Sequence, residues 1–323
     1  MIPIRDTTPS KNYPVVNTII IASNVFFYLV QLAQGPALDR FILLYGLVPI
    51  RYSVPEVSVH FTFFQQIFSL FSFMFLHGGF FHLLGNMWTL YIFGDNVEDR
   101  LGPLRYLLFY LACGLTSGLF HLSMNWHSPV PTIGASGAIA GVMGAYLLLY
   151  PGAKILTLIP IFFIPYFVEL PAFLFLGIWF LIQFLSATGS AGQAGGIAWW
   201  AHVGGFLAGM AFLKLFLSLP QTGITKRLRT STERGRTPRL QVIRPAASVG
   251  GPDLYGNLVI TPREAREGTY KLVNVQWGLR NRILRVMVPP GIRHGTLLRL
   301  SGLGRYSEKG DRGDLLLRVL VRD

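Results

Sequence analysis

Apolar residues gather in long blocks over the first two thirds of the chain, separated by short polar breaks. A helix that crosses a bilayer needs about 20 mostly apolar residues. Six blocks approach that length: 16–34, 80–97, 104–124, 135–150, 170–187 and 197–217. Charges fall only near their ends, as with Asp95 in the second and Lys214 in the sixth. The fourth block is short for a span. A long apolar stretch with Pro49, Pro55 and several aromatics separates the first two blocks, and reads as a loop lying at the membrane surface. Residues 155–169, with Pro160 and Pro165, read the same way. After residue 220 the pattern changes. Residues 221–252 hold Lys226, Arg227, Arg229, Arg234, Arg236, Arg239 and Arg244 against one acid, Glu233, with Gly, Ser, Thr and Pro between them. That composition reads as a basic disordered linker. Residues 253–323 show short β-type runs (NLVIT, YKLVNVQW, RILRVMVPP, TLLRLSG, DLLLRVLV) separated by turn signals. The expected architecture is an all-α polytopic membrane domain of six helices over 1–220, a linker over 221–252, and a small all-β domain over 253–323.

Composition supports the membrane reading. Of 323 residues, 51% are apolar and 13% charged, against about 25% charged in soluble domains. The single cysteine, Cys113, lies in an apolar run, so no disulfide scaffold exists. The polar N-terminal segment is followed by an apolar block without a small-residue cleavage pattern, which is not the pattern of a cleavable signal peptide. The net charge of +13 is confined to the tail: 1–220 holds 8 Lys+Arg and 7 Asp+Glu, while 221–323 holds 20 and 8. Half of the tail's excess sits in the segment next to the last span, so anionic lipid is a nearer partner than nucleic acid. Six spans put both ends on one side of the membrane. That side carries Arg5, Lys11, Arg100, Arg105, Lys154, Lys214 and the tail, whereas the other carries Arg40 and Arg51. The positive-inside rule therefore places both termini in the cytoplasm, with the cell membrane as the expected location. Spans two, four and six then run from outside to inside.

Polar residues inside spans are expensive and are candidates for function. Ser136 opens the fourth block within Gly134-Ala135-Ser136-Gly137. His202 opens the sixth within Ala201-His202-Val203-Gly204-Gly205. His77, His82 and Asn86 cluster at the start of the second, and a glycine-rich loop over 189–196, with the glycine content of a mobile cover, precedes the sixth. Ser136, His202, His82 and Asn86 lie in the first turns of co-oriented spans, so they share one depth just below the outer surface, where water is at hand. Ala140 and Gly144 follow Ser136 on its helix face, and Gly205 and Gly209 follow His202; such small stripes let membrane helices approach closely. Close packing would bring Ser136 within hydrogen-bond reach of His202. A serine hydroxyl needs an adjacent base to act as a nucleophile, and the resulting oxyanion needs fixed donors. His82 and Asn86, at i and i+4, offer side-chain N–H groups, and the Ser136 backbone N–H at a helix N-terminus offers another. No Asp or Glu lies at this depth, so the pair would act as a dyad. Taken alone, each residue has a plain packing explanation, as do His60, His121 and His127. The coincidence of all four at one depth is the specific signal.

GASGAIAG with AHVGGFLAG, preceded by HGGFFHLLGN, resembles the rhomboid family of intramembrane serine proteases. The resemblance covers about residues 14–217, including VEDRLG at 97–102. It implies a six-helix core and cleavage of transmembrane protein substrates near their outer ends, without metal or cofactor. Carried over by motif, Ser136 is the nucleophile, His202 the general base, and His82 and Asn86 the oxyanion residues. Gly134 and His77 occupy supporting positions beside them. It also implies a first loop partly within the membrane, which suits 36–79. Two departures stand out. Some members place a Tyr four residues after the serine, stacked on the catalytic His, where this chain has Ala140. The first loop also lacks a Trp-Arg pair.

Residues 253–323 resemble a C-terminal substrate-binding subdomain of the DnaJ/Hsp40 co-chaperones, through ITPREAREGT, VMVPPGIRHGTLLRLSGLG and GDRGDLLLRVLV. The resemblance implies a domain that binds peptide segments; a purely structural role is the alternative. The His-Pro-Asp signature and the CxxCxGxG repeat of a full co-chaperone are absent. For the membrane part, two rival readings are a catalytically dead relative that binds membrane helices and a channel or transporter. Intact Ser136 and His202 oppose the first, and the lack of paired charges inside the spans opposes the second.

Overall fold

The structure is a computed structural model that describes residues 1–8, 10–161, 164–189, 198–220, 223–232, 240–247, 251–277, 280–306 and 311–322. It divides into two units, Met1–Glu233 and Arg234–Asp323.

The first unit begins with strand β1 (Ile2–Asp6) and helix α1 (Val15–Leu32). The loop that follows holds α2 (Leu38–Tyr45), two single-turn helices and α3 (Phe63–Ser72). Then come α4 (Phe80–Leu101), α5 (Pro103–Met124) and α6 (Ser136–Leu149). A hairpin of β2 (Lys154–Ile161) and β3 (Ile164–Pro171) leads to α7 (Ala172–Gly189), α8 (Trp199–Ser218) and α9 (Gly223–Thr232). Each of the six apolar blocks is thus a helix. By length and composition, however, four of them cross a membrane: α1, α5, α7 and α8. Helix α4 qualifies only when joined to Phe63–Phe75, from which it is bent by 78°. Helix α6 has only 14 residues. It is buried without a break from Gly137 to Tyr146, so its length is matched to its helical neighbours rather than to the lipid. Among the described residues this multi-pass membrane unit thus has four helices, or five with the bent pair, long and apolar enough to cross a membrane, where the apolar blocks predict six.

Local chemistry fixes the joints. Gly102 (φ 82°) ends α4 in a conformation that favours glycine, and Pro103 starts α5 at the position where a missing N–H costs nothing. The N-cap of α1 is Pro14, whose side chain has no acceptor to offer. Glu98 supplies the need from α4, accepting from the backbone N–H of Val16 (3.0 Å) and Asn17 (2.7 Å). Asn17 in turn accepts from the Tyr106 hydroxyl at 2.7 Å and donates to the Leu90 carbonyl at 3.1 Å. These contacts give VEDRLG a structural role in clamping α1, α4 and α5 together.

The first loop is anchored by Arg51. This buried guanidinium donates to the carbonyls of Leu43 (2.9 Å) and Leu44 (3.2 Å) at the end of α2, and lies 3.8 Å from the centre of the Phe61 ring. The loop is therefore held by an Arg–Phe contact in place of a Trp–Arg pair. Helix α3 opens on a capping box between Thr62 and Gln65.

Residues 155–169 are not irregular. They form most of the β2–β3 hairpin, which β1 extends to a three-stranded antiparallel sheet with Ile2 opposite Leu158 and Asp6 opposite Ile155. The two prolines that argued for a loop face each other, Pro160 opposite Pro165, so the donors they lack fall at one pair of the ladder. The Tyr146 hydroxyl (2.5 Å) and the Asn96 amide (2.9 Å) both donate to Asp6, tying β1 to α6 and α4. The first unit is consequently not all-α.

The second unit contains β4 (Leu240–Ile243), β5 (Ala246–Ala247), β6 (Leu254–Ile260), α10 (Pro262–Glu267), β7 (Thr269–Trp277), β8 (Arg280–Val288), β9 (Leu297–Leu300) and β10 (Leu315–Val321). They form two sheets, ordered β5-β6-β10-β9 and β4-β7-β8. Strands β6 and β10 pair in parallel, as do β4 and β7. The core holds Leu258, Ile260, Val273, Val286, Leu315 and Leu317. Within it Lys271 pairs with Glu264 at 2.5 Å, and Glu264 also closes a capping box with Thr261. The stretch 221–252, expected to lack regular structure, contains α9, β4 and β5 instead. Both strands are too short to show a period, and pairing with β7 and β6 supplies what the local sequence does not.

Candidate active site

Ser136 is the first residue of α6. The segment before it is pinned to the first loop: Leu47 and Thr132 exchange backbone hydrogen bonds (3.0 and 2.8 Å), and the Gly134 N–H donates to the Phe73 carbonyl at 2.9 Å. Gly134 has φ 129°, and a Cβ there would lie 2.9 Å from His82 Nε2. Glycine is therefore required for both the backbone angle and the space beside the His82 ring.

Helices α6 and α8 meet backbone to backbone. A Cβ on Gly209 would stand 1.9 Å from the Gly141 carbonyl oxygen, and one on Gly144 would stand 2.2 Å from the Phe206 carbonyl oxygen. The contact stripe on α6 is thus Gly137, Gly141 and Gly144, one residue out of phase with the expected Ala140. On α8 it includes Gly205 and Gly209, as expected. This approach brings His202 Nε2 to 2.7 Å from Ser136 Oγ. His202 is buried, whereas Ser136 is partly exposed. The imidazole is thus shielded while the hydroxyl can be reached.

The other face of His202 is held by α7. Its Nδ1 lies 2.7 Å from Gln183 Oε1. Trp179, one turn earlier on α7, places its ring 6.0 Å from the imidazole at 35°, and Trp199 meets it edge-on at 6.2 Å. Ala140 is buried and offers no ring, so these two indoles flank His202 where some rhomboid members use a tyrosine.

His82 and Asn86 sit one turn apart on α4. The Gly78 N–H donates to His82 Nδ1 at 3.2 Å. With Nδ1 accepting, the ring proton belongs on Nε2, the nitrogen nearest Gly134. Asn86 is buried, and its Nδ2 has no partner among the described residues. Of the two, His82 is the one that stands beside Gly134 and so beside Ser136. His77 is brought to His82 rather than to the Ser–His pair: its buried ring meets that of His82 edge-on at 5.2 Å. Gln31 of α1 clasps its backbone, donating to the His77 carbonyl at 2.6 Å and accepting from its N–H at 3.0 Å. The glycine-rich loop that follows Gly189 lies outside the described residues. Among the described residues, no three of His, Cys, Asp and Glu converge to hold a metal ion.

Sequence reasoning passed over Gln183, Trp179, Gln31 and Arg51. Gln183 carried a usable signal, being a strongly polar side chain inside the apolar run AFLFLGIWFLIQFLSATG. Chemically, the assembly is a hydroxyl in contact with an imidazole at the start of a helix, with the His82 ring beside the preceding glycine. Those are the parts of an acyl-transfer site.

The Rhomboid domain matches residues 65–219. The chain is 31% identical over 191 residues to "Rhomboid protein 1, mitochondrial" of Saccharomyces cerevisiae, covering 55% of this chain and 47% of that protein. It is 31% identical over 159 residues to "RHOMBOID-like protein 1" of Arabidopsis thaliana, covering 49% and 37%. Over 72 residues it is 44% identical to "Rhomboid protease GluP" of Bacillus subtilis, covering 22% and 14%. The chain spans less than half the length of each of these relatives, and the Rhomboid match over 65–219 includes Ser136 and His202.

Proposed function

We propose that this chain is an intramembrane serine endopeptidase that cleaves transmembrane proteins near their extracytoplasmic ends. The observation that carries the reading is the 2.7 Å contact between Ser136 Oγ and His202 Nε2 at the meeting of two glycine-lined helices. In the first step the Ser136 oxygen bonds to the scissile carbonyl carbon, the carbonyl electron pair moves onto its oxygen, and the serine proton passes to His202 Nε2. His202 then gives that proton to the leaving amine as the carbon–nitrogen bond breaks. Water then bonds to the acyl carbon while passing a proton to the same nitrogen, and His202 returns that proton to Ser136 Oγ as the carbon–Oγ bond breaks. The oxyanion is held by His82 Nε2–H, Asn86 Nδ2–H and the Ser136 backbone N–H; Gly134 leaves room for it, and His77 buttresses His82. Cofactors play no part in this scheme.

The same reading takes all six apolar helices as spans, with α4 and the short α6 included and both termini on the cytoplasmic side of the cell membrane. The basic residues after α8 then face anionic lipid. The unit from Arg234 to Asp323 resembles a co-chaperone subdomain, and that resemblance supports binding of a substrate's cytoplasmic segment. A serine-directed fluorophosphonate tests the site itself. It should label Ser136 in the wild type and lose that labelling in His202→Ala; labelling that persists without His202 would contradict the dyad.

A further inference from the structure

The polar contact on the far side of His202 is made by an amide, and the way it is made decides whether the histidine can serve as a base. Gln183 is buried at 7% exposure on α7, and its Oε1 lies 2.7 Å from His202 Nδ1. A carbonyl oxygen only accepts, so Nδ1 must carry the proton. A neutral imidazole with its proton on Nδ1 has its lone pair on Nε2, the nitrogen 2.7 Å from Ser136 Oγ. The opposite tautomer would aim an N–H at the serine and could not take its proton. Trp179, four residues before Gln183 on the same helix, flanks the same ring. One helix thus holds the imidazole by its edge and by its face.

We propose that Gln183 is the positioning residue of this site, a neutral acceptor standing where a triad would place a carboxylate. The proposal rests on the endopeptidase reading of Ser136 and His202. During attack the serine proton moves to Nε2, the Oγ–C bond forms, and the Nδ1 proton stays on His202, still donated to Gln183 Oε1. Gln183 gains no proton and no charge. Its contribution is orientation and a carbonyl dipole directed at the imidazolium as that charge develops. A neutral group also suits the depth: an ionised carboxylate in a buried site without a permanent counter-charge carries a heavy desolvation penalty, whereas the Gln183 amide is satisfied by the ring it holds. Ala140 leaves no tyrosine to orient the imidazole from α6, which puts the burden on α7.

The test uses the full chain in liposomes with a model transmembrane substrate, and compares the wild type, Gln183→Met, Gln183→Leu and Gln183→Glu. Methionine keeps the length and removes the strong acceptor, leucine removes both, and glutamate keeps an acceptor. The Met and Leu variants should lose about 10- to 100-fold in kcat with KM little changed, as expected for a group acting through the base. Glutamate should retain turnover within about tenfold of wild type, and the acid limb of its kcat/KM profile should move to higher pH, because a carboxylate beside Nδ1 favours the protonated ring. A merely structural role would lower the unfolding midpoint in detergent while kcat per folded molecule stayed at the wild-type value; that result overturns the assignment. So does a Gln183→Glu protein that folds but is as slow as Gln183→Met. If the wild type itself yields no Ser136-dependent product, the endopeptidase reading fails and takes the assignment with it. A wild type that cleaves through Ser136, with a Gln183→Met variant equally fast, removes the assignment alone.

Discussion

Gly205 lies so close against Gly137 that a Cβ on Gly205 would stand 2.0 Å from the Gly137 carbonyl oxygen. That spacing sets the distance between Ser136 and His202, because Ser136 precedes Gly137 by one residue and His202 precedes Gly205 by three. The 2.7 Å contact between the two side chains thus depends on how closely α6 and α8 pack.

Gly205→Ala should therefore push α8 off α6 and separate Oγ from Nε2. Misplacement by about 1 Å costs on the order of 100-fold in rate, so turnover should fall by about that factor while membrane insertion continues. Gly177 on α7 has open space around it, and Gly177→Ala should leave turnover as it is. Side-by-side kinetics of the two variants check the point.

For the oxyanion donors, Asn86→Ala should lower turnover by about 100- to 1000-fold, the cost of one such donor in soluble hydrolases. Labelling of Ser136 should decline less than turnover, since the Ser–His contact is intact. If Asn86→Ala instead melts earlier and its folded fraction turns over normally, Asn86 is a packing residue.

Much of this arrangement was legible in the chain. Ser136 and His202 stand at the starts of apolar blocks, and the small residues after them announce a close helix pair. On α6 the sequence points to Gly144, which is in the contact, but to Ala140 where its neighbour Gly141 makes it, because both are small and only the rotation of the helix separates them. Gln183 escaped notice for a related reason. A lone glutamine in an apolar helix acquires meaning only from what it faces, and facing depends on how α7 packs. The hairpin at 154–171 was hidden by Pro160 and Pro165, which read as breaks until they are seen opposite each other. Strands β4 and β5 were hidden by brevity, and their partners lie on β7 and β6, further along the chain.

The Glu98 clamp makes a prediction about stability. Glu98→Gln keeps the shape and removes the charge that faces the N-terminus of α1. Loss of one helix cap costs about 0.5–2 kcal/mol. The unfolding midpoint in detergent should fall accordingly, and turnover per folded molecule should hold. A loss of turnover with an unchanged midpoint would show that Glu98 acts on the site.

Truncation tests the division of labour along the chain. The first unit runs to Glu233, and the Tyr13 N–H donates to the Thr232 carbonyl at 2.7 Å, so α9 belongs to it. A chain ending after residue 233 should fold and cleave a substrate lacking a cytoplasmic tail at the wild-type turnover number. A chain ending after Leu219 should melt at lower temperature, having lost α9. Both can be read by thermal unfolding and cleavage in the same detergent.

Cleavage of a reconstituted model transmembrane substrate by the wild type, Ser136→Ala, His202→Ala and the double variant bears on the central claim most directly. Each single variant should insert normally and yield no product, and the double variant should be no worse than either, because nucleophile and base act as a unit. Substantial cleavage by Ser136→Ala, at a bond the wild type also cuts, would contradict the account.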